Sequence, residues 1–260
     1  MSKPLSNSQI AKLGDRLRDG IHTAEDLFLL SEYRAGFAAA SAEVATTIRA
    51  LLPPEQTLLI EPYYNPTERA AKSNKSIIDK LRRLKTSQLS QMQDVAGCRV
   101  VVAHLLEQDN LKEKLSTAFA KHRTYDLRRH PHSGYRAVHV VVHAQERRVE
   151  VQIRTQLQDL WAQCSESWAF SVDLAIKYGG GPVKIQERLL RLSEVVWLHE
   201  KQGFPLLRNF ALGDLTSLFH LEGAELEVVA QWITERDESV RTLISQYRQW
   251  AEGYKQGEGS

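Results

Sequence analysis

Apolar and polar positions follow two different periods along this chain of 260 residues. Up to about Leu52 the apolar residues recur at three- and four-residue steps, the spacing of amphipathic helices. Thr23 with Asp26 makes a capping box ahead of "LFLLSEYRAGFAAASAEVATTIRALL", which reads as one helix stopped by Pro53-Pro54. From about 56 to 160 the pattern mixes. "TLLIEPYYN" reads as a strand, and "KSIIDKLRRLK" as a short helix with Ile77, Ile78 and Leu81 on one side. "CRVVVA" after Gly97 is a short apolar strand, and "EQDNLKEKLSTAFAKH" is a helix. Helical spacing returns beyond about 157, in "VKIQERLLRLSEVVWLHEKQ" and "ELEVVAQWITERDESVRTLISQYRQWAEGY". "KYGGGP" at 177–182 marks a flexible joint, and "GEGS" closes the chain as a disordered tail. The expected architecture is a mixed α/β (α+β) core over 56–170, with a helical region at 1–55 and another at 171–260.

The most informative stretch is "GYRAVHVVVHAQERRVEVQIRT", a hairpin whose strands are separated by the polar "AQER". Side chains alternate across a strand with period two. Val138, Val140 and Val142 share one face, opposite Tyr135, His139 and His143. In the second strand Val149, Val151 and Ile153 alternate with Glu150, Gln152 and Arg154. A sheet with one solvated face accounts for such alternation. A tyrosine, a histidine, a carboxylate, an amide and a guanidinium together also suit a lined cleft.

A second carboxylate lies upstream. Asp94 in "MQDVAGCRVVV" precedes a glycine turn feeding a strand that carries Arg99. Two carboxylates from separate strands can hold Mg²⁺, a hard cation that prefers oxygen ligands and bridges phosphate oxygens in phosphoryl-type transfer. Cations for phosphates lie nearby in sequence: Lys72, Lys75, Lys80, Arg82 and Arg83. A solvated helix face explains those basics as well.

Composition narrows the class without naming it. Hydrophobic residues make up 42% and charged residues 25%, ordinary for a globular protein, and the net charge of +2 does not by itself point to nucleic acid. The first twenty residues lack an apolar signal core, and no run approaches the roughly 18 apolar residues of a membrane span. A cytoplasmic protein is therefore expected, with Cys98 and Cys164 as inert thiols. The glycines of "KYGGGP" do not have phosphate-loop spacing. Trp161, Trp168, Trp197, Trp232 and Trp250 sit on helical faces, as core residues do.

"KSNKSIIDKL", "DVAGCR", "SGYRAVH" and "VEVQIRT" followed by "WA" occur in that order. The series resembles the RelA/SpoT-type synthetase domain of alarmone synthetases. The resemblance implies a nucleotidyltransferase-like mixed sheet flanked by helices. It also implies transfer of the β,γ-pyrophosphate of ATP to the ribose 3′-hydroxyl of GDP or GTP, with Mg²⁺ as cofactor and AMP as leaving group. By motif position, Asp94 and Glu150 would be the metal-binding and catalytic carboxylates. Arg69, Lys72, Ser76, Lys80 and Arg99 would hold ATP, Arg99 by stacking on adenine. Tyr135 would stack on the acceptor base, with Arg136, His139, Gln152 and Arg154 lining the acceptor or phosphate pocket.

The chain departs from the family where an arginine is expected two residues before Lys72: Ala70 stands there and Arg69 is one residue off. "RRHPHSGYRA" replaces a lysine-rich acceptor lead-in, and His130-Pro-His132 is a further candidate for a metal. No His-Asp hydrolase motif is present, so the resemblance is to small synthetase-only members. Some relatives instead modify the 3′ CCA end of tRNA as toxins, which would bring a tRNA partner and an antitoxin protein. Basic residues from Arg82 to Arg129 could serve such a substrate. A catalytically inactive nucleotide-binding module is a third reading. Small members are often homo-oligomers, so the C-terminal amphipathic helix could pack on the core, on another subunit or against an antitoxin.

Overall fold

The structure is a computed structural model and describes residues 5–52 and 73–202. The strand expected in "TLLIEPYYN", the Pro53-Pro54 stop, Arg69, Ala70, Lys72, the last helical pattern with Trp232 and Trp250, and the tail lie outside the described residues. The described residues fall into two compact units. The first takes in the chain up to Val100, then Asn110–Tyr125 and His139–Ile153; the second takes in Val101–Asp109, Asp126–Val138 and the chain from Arg154 onward.

Helices α1 (Asn7–Asp19), α2 (Ala24–Ala35), α3 (Ala38–Leu51) and α4 (Asn74–Arg83) belong to the first unit. α1 starts on a Ser6–Gln9 capping box and ends at Gly20, whose φ of 76° suits a residue without Cβ. The Thr23–Asp26 box opens α2 as the sequence predicts. The single helix expected from there to Leu51 is broken at Gly36–Phe37. Packing explains the break. Phe37 turns into the core at 3% exposure, edge-on to Tyr33 with ring centroids 5.3 Å apart. The Arg147 guanidinium sits 5.0 Å from the Phe37 ring centroid, and a Cβ on Gly36 would come within 3.3 Å of it. α4 buries Ile77, Ile78 and Leu81, the three residues its periodicity marks, and packs on α1 and α2.

A four-stranded mixed sheet runs in the order β1 (Gly97–Val102), β4 (Arg147–Thr155), β3 (Val138–Ala144), β2 (His122–Asp126). α5 (Leu105–Ala118) follows β1. β3 and β4 form the expected hairpin, but its turn is only Gln145-Glu146, with φ of 48° and 58°, rather than the four residues "AQER". Two left-handed residues give a turn whose twist matches that of the strands. β2 has no counterpart in the expected elements. Its "HRTYD" is mostly exposed and polar, as an edge strand can be, so no apolar alternation announces it.

The second unit holds α6 (Gln156–Ser171), a 3-10 turn (Leu174–Tyr178) and α7 (Val183–Gln202), around Trp161, Cys164, Trp168, Ile176, Leu189 and Val196. "KYGGGP" is tied to α7. Gly179 ends the 3-10 turn at φ 83°, and the Gln186 amide donates to the carbonyls of Ile176 (2.8 Å) and Gly180 (2.7 Å). Among the described residues no helix is long and apolar enough to cross a membrane. Cys98 and Cys164 are buried free thiols, and burial pushes Cys98 up to about 11.

Candidate active site

In the first unit, stitching around β4 sets the segment that carries Asp94 beside Glu150. Arg148 donates to the carbonyls of Ser90 (2.9 Å) and Gln91 (3.2 Å), in the 3-10 turn that leads to Asp94. The Glu150 amide donates to the Ala96 carbonyl at 3.0 Å. Gly97 lies so close that a Cβ there would sit 2.7 Å from the Glu150 carbonyl oxygen. β1 and the segment carrying Asp94 are therefore set directly against Glu150. Asp94's charge is felt at Glu150.

The alternation read from the hairpin holds in β4, where Val149, Val151 and Ile153 are buried and Glu150 and Gln152 are only partly so. His139 Nδ1 lies 3.1 Å from Glu150 Oε1, and the Gln152 amide donates to Oε2 at 2.8 Å. Burial pushes the Glu150 carboxyl up. The His139 hydrogen bond and charge, with the Gln152 amide, outweigh that and hold it below the ordinary carboxylate range, against the repulsion from Asp94. Lys80 Nζ donates to Asp94 Oδ2 at 2.7 Å. α4 is placed for this by Asn74, whose amide donates to Ser31 Oγ (3.0 Å) and whose oxygen accepts from Arg34 (2.9 Å). Ser76 stands on the first turn of α4, its hydroxyl 2.8 Å from that of the N-cap Ser73. Arg99 lies on β1, buried to 7% exposure. Within this unit Lys80 pairs with Asp94, and His139 and Gln152 with Glu150.

The second unit holds Tyr135, Arg136 and Arg154. Tyr135 is not on the strand with His139, as the alternation suggested. It lies before β3, in an isolated bridge to His132 after Ser133 (φ 52°) and Gly134 (φ 84°). Gly134 is required there, because a Cβ would meet the Trp161 ring at 2.7 Å. Arg154 Nε donates to Tyr135 Oη at 3.2 Å, and its guanidinium lies 5.0 Å from the ring centroid. Arg136 is 5% exposed and donates to Ser193 Oγ (3.0 Å), to Glu194 (2.5 Å) and to the Arg128 carbonyl. Its guanidinium also lies 5.2 Å from the Trp197 ring centroid.

Several polar residues escaped the sequence reading. Asp159 accepts from Arg154 at 2.9 Å, and Ser193 and Glu194 take up Arg136. Glu200 accepts from the Thr155 hydroxyl and from the Gln158 amide at 2.9 Å. Burial pushes Glu200 up to about 7, only partly offset by those hydrogen bonds and by the charges of Arg128 and Arg136. The Thr155–Gln158 capping box of α6 was legible as Thr-x-x-Gln, whereas nothing in sequence spacing marks Ser193, Glu194 or Glu200 as partners of these residues.

The donor set at Asp94 and Glu150 fits a hard divalent cation. Both groups offer oxygen, Glu150 is held ionised, and a cation between them would relieve their mutual repulsion. Among the described residues no group of three or more His, Cys, Asp or Glu is placed to hold a metal. Two carboxylates with coordination completed by water or phosphate is the arrangement magnesium favours.

Residues 69–173 match the family described as a region found in RelA / SpoT proteins. The uncharacterized protein Rv1366 of Mycobacterium tuberculosis is 35% identical over 233 residues, 81% of this chain and 83% of its own length. The uncharacterized protein Mb1401 of Mycobacterium bovis matches with the same figures. The crystal structure of small alarmone synthetase 1 from Bacillus subtilis is similar at TM-score 0.49 and 26% identity, over 66% of this chain and 93% of that one. The same enzyme bound to its product pppGpp is similar at TM-score 0.47 and 24% identity, over 70% and 98%. The ordered motifs, the matched region and relatives that span most of the sequence agree: this chain belongs to the RelA/SpoT family and carries its synthetase domain.

Proposed function

We propose that the chain is a pyrophosphokinase that transfers the β,γ-pyrophosphate of ATP to the 3′-hydroxyl of GDP or GTP and releases AMP. One observation carries this reading: Glu150 and the segment that carries Asp94, distant in sequence, are stitched together through the Glu150 amide and the Ala96 carbonyl at 3.0 Å, with Lys80 against Asp94 and His139 and Gln152 on Glu150. An inert fold would gain little from setting two partly buried carboxylates near each other.

In this reading Asp94 and Glu150 would hold Mg²⁺, which would supply charge neutralisation at the phosphate oxygens of the donor. Glu150, held ionised, accepts the proton of the 3′-hydroxyl. The freed oxygen bonds to the β-phosphorus, the bond from that phosphorus to the bridging oxygen of the α-phosphate breaks, and AMP departs with the electron pair. His139 and Gln152 fix the carboxylate, Lys80 and Ser76 take the phosphates, Lys72 and Arg69 join them by motif position alone, and Arg99 receives the adenine. Tyr135 offers the acceptor base a stacking surface, a contact worth roughly 1–3 kcal/mol.

The test offers purified protein ATP labelled at the γ-phosphate, Mg²⁺, and GDP, GTP, ATP and deacylated tRNA in parallel. Label in GDP or GTP is the expected result. Label in tRNA alone replaces the acceptor with an RNA end, and label nowhere despite ATP binding overturns the enzyme reading.

A further inference from the structure

The geometry points to Asp159 as a positioning residue that sets the orientation of Tyr135 through Arg154; its bearing on catalysis rests on the acceptor role proposed for Tyr135. Arg154 is 4% exposed and Asp159 5%. The guanidinium spends Nη1 on Asp159 Oδ1 at 2.9 Å and Nε on Tyr135 Oη at 3.2 Å, while lying over the phenol ring. Because the guanidinium is planar and rigid, fixing one edge on Asp159 fixes where the other meets the tyrosine. Asp159 is itself held, its other oxygen accepting from the Gln163 amide at 2.7 Å. All of these anchors stand on α6, whose Trp161 also presses on Gly134, the residue before Tyr135.

Stability alone is a poor account of this arrangement. A buried ion pair roughly breaks even against apolar packing of the same volume. Placement is the better account, since the backbone before Tyr135 is already committed. Ser133 and Gly134 take left-handed conformations, and Ser193 donates to the Gly134 carbonyl at 2.5 Å. With the backbone so pinned, the remaining freedom is the swing of the phenol. The Asp159–Arg154 brace removes it, so that a stacking surface exists before any base arrives.

The experiment compares Asp159→Asn with the parent protein in two ways. The flip rate of the Tyr135 ring, read from NMR line shapes, needs no substrate and is expected to quicken, while the ring of Tyr33 in the first unit flips as before. In turnover the KM for the guanine nucleotide should rise about tenfold, with the KM for ATP and kcat at saturating acceptor unchanged. Asp159→Glu should restore most of the loss. In a Tyr135→Ala background Asp159→Asn should add nothing further to the acceptor KM. Arg154→Lys, which keeps a charge beside Asp159 but lacks the second nitrogen for Tyr135, should give the same acceptor-only change and stands in if Asp159→Asn does not fold. An unchanged ring-flip rate, or an equal KM penalty with and without Tyr135, overturns the brace. A quickened ring flip in a protein that uses no guanine nucleotide upholds the brace and removes only the acceptor assignment.

Discussion

At the scale of single residues the proposed chemistry turns on one carboxylate kept ionised by its neighbours. Glu150→Gln preserves shape and the contact with Gln152 but removes the charge that faces His139 and Asp94. Turnover should fall by about a hundredfold or more, the range for loss of a general base, with the unfolding midpoint little changed. Steady-state assays beside urea titrations check both halves. Glu200 invites a different test. Its folded value of about 7 lies above the ordinary 4.5, so the folded protein binds that proton more tightly. The resulting penalty is absent below about 4.5, grows as pH rises, and is complete above about 7. At most it amounts to about 3 kcal/mol. Glu200→Gln should therefore be more stable than the parent at pH 8 and similar at pH 5, as urea midpoints at the two pH values would record. An equal difference at both would mean that Glu200 does not titrate in this window.

At the scale of elements the site depends on how closely β1 meets β4. Gly97→Ala places a methyl where the Glu150 carbonyl oxygen already stands, and backbone rather than a flexible side chain must move. A cost of about 1–3 kcal/mol is expected, typical of overpacking. Turnover should fall further than lost stability explains, measured where the variant is fully folded. This register was partly legible in the sequence. Strict alternation of Val149, Val151 and Ile153 with Glu150 and Gln152 fixed the face of β4, and the Thr23–Asp26 box fixed the start of α2. Tyr135 shares the odd parity of His139, yet the left-handed pair Ser133-Gly134 takes it off the strand, which period-two counting cannot register. The break between α2 and α3 was equally hidden. It depends on Arg147 reaching Tyr33 and Phe37 from more than a hundred residues away in the chain. β2, polar and at an edge, offered no pattern at all.

At the scale of the whole molecule, ligand binding should appear as added stability. A nucleotide that binds only the folded protein raises the unfolding free energy by about 2.7 kcal/mol at a hundred times its Kd. ATP with Mg²⁺ should raise the melting temperature, chelation with EDTA should remove most of the rise, and Asp94→Asn should make the melt indifferent to the chelator. A metal-independent shift in the parent would remove the cation from the proposal. Family membership was open to inspection because four short motifs kept their order through a chain that otherwise changes character from helix to sheet and back. The partners of Arg136 were not, since Ser193 and Glu194 stand 57 and 58 positions away and meet it only in the folded second unit. Lys80 already rests against Asp94 and supplies its counter-charge, so on the proposed chemistry a metal held there would exchange one cation for another. On the proposed chemistry the displaced ammonium is left beside the incoming triphosphate, a hand-over in which metal and donor each ease the other's arrival. Lys80→Met would uncouple them, the metal gripping harder while the nucleotide grips less.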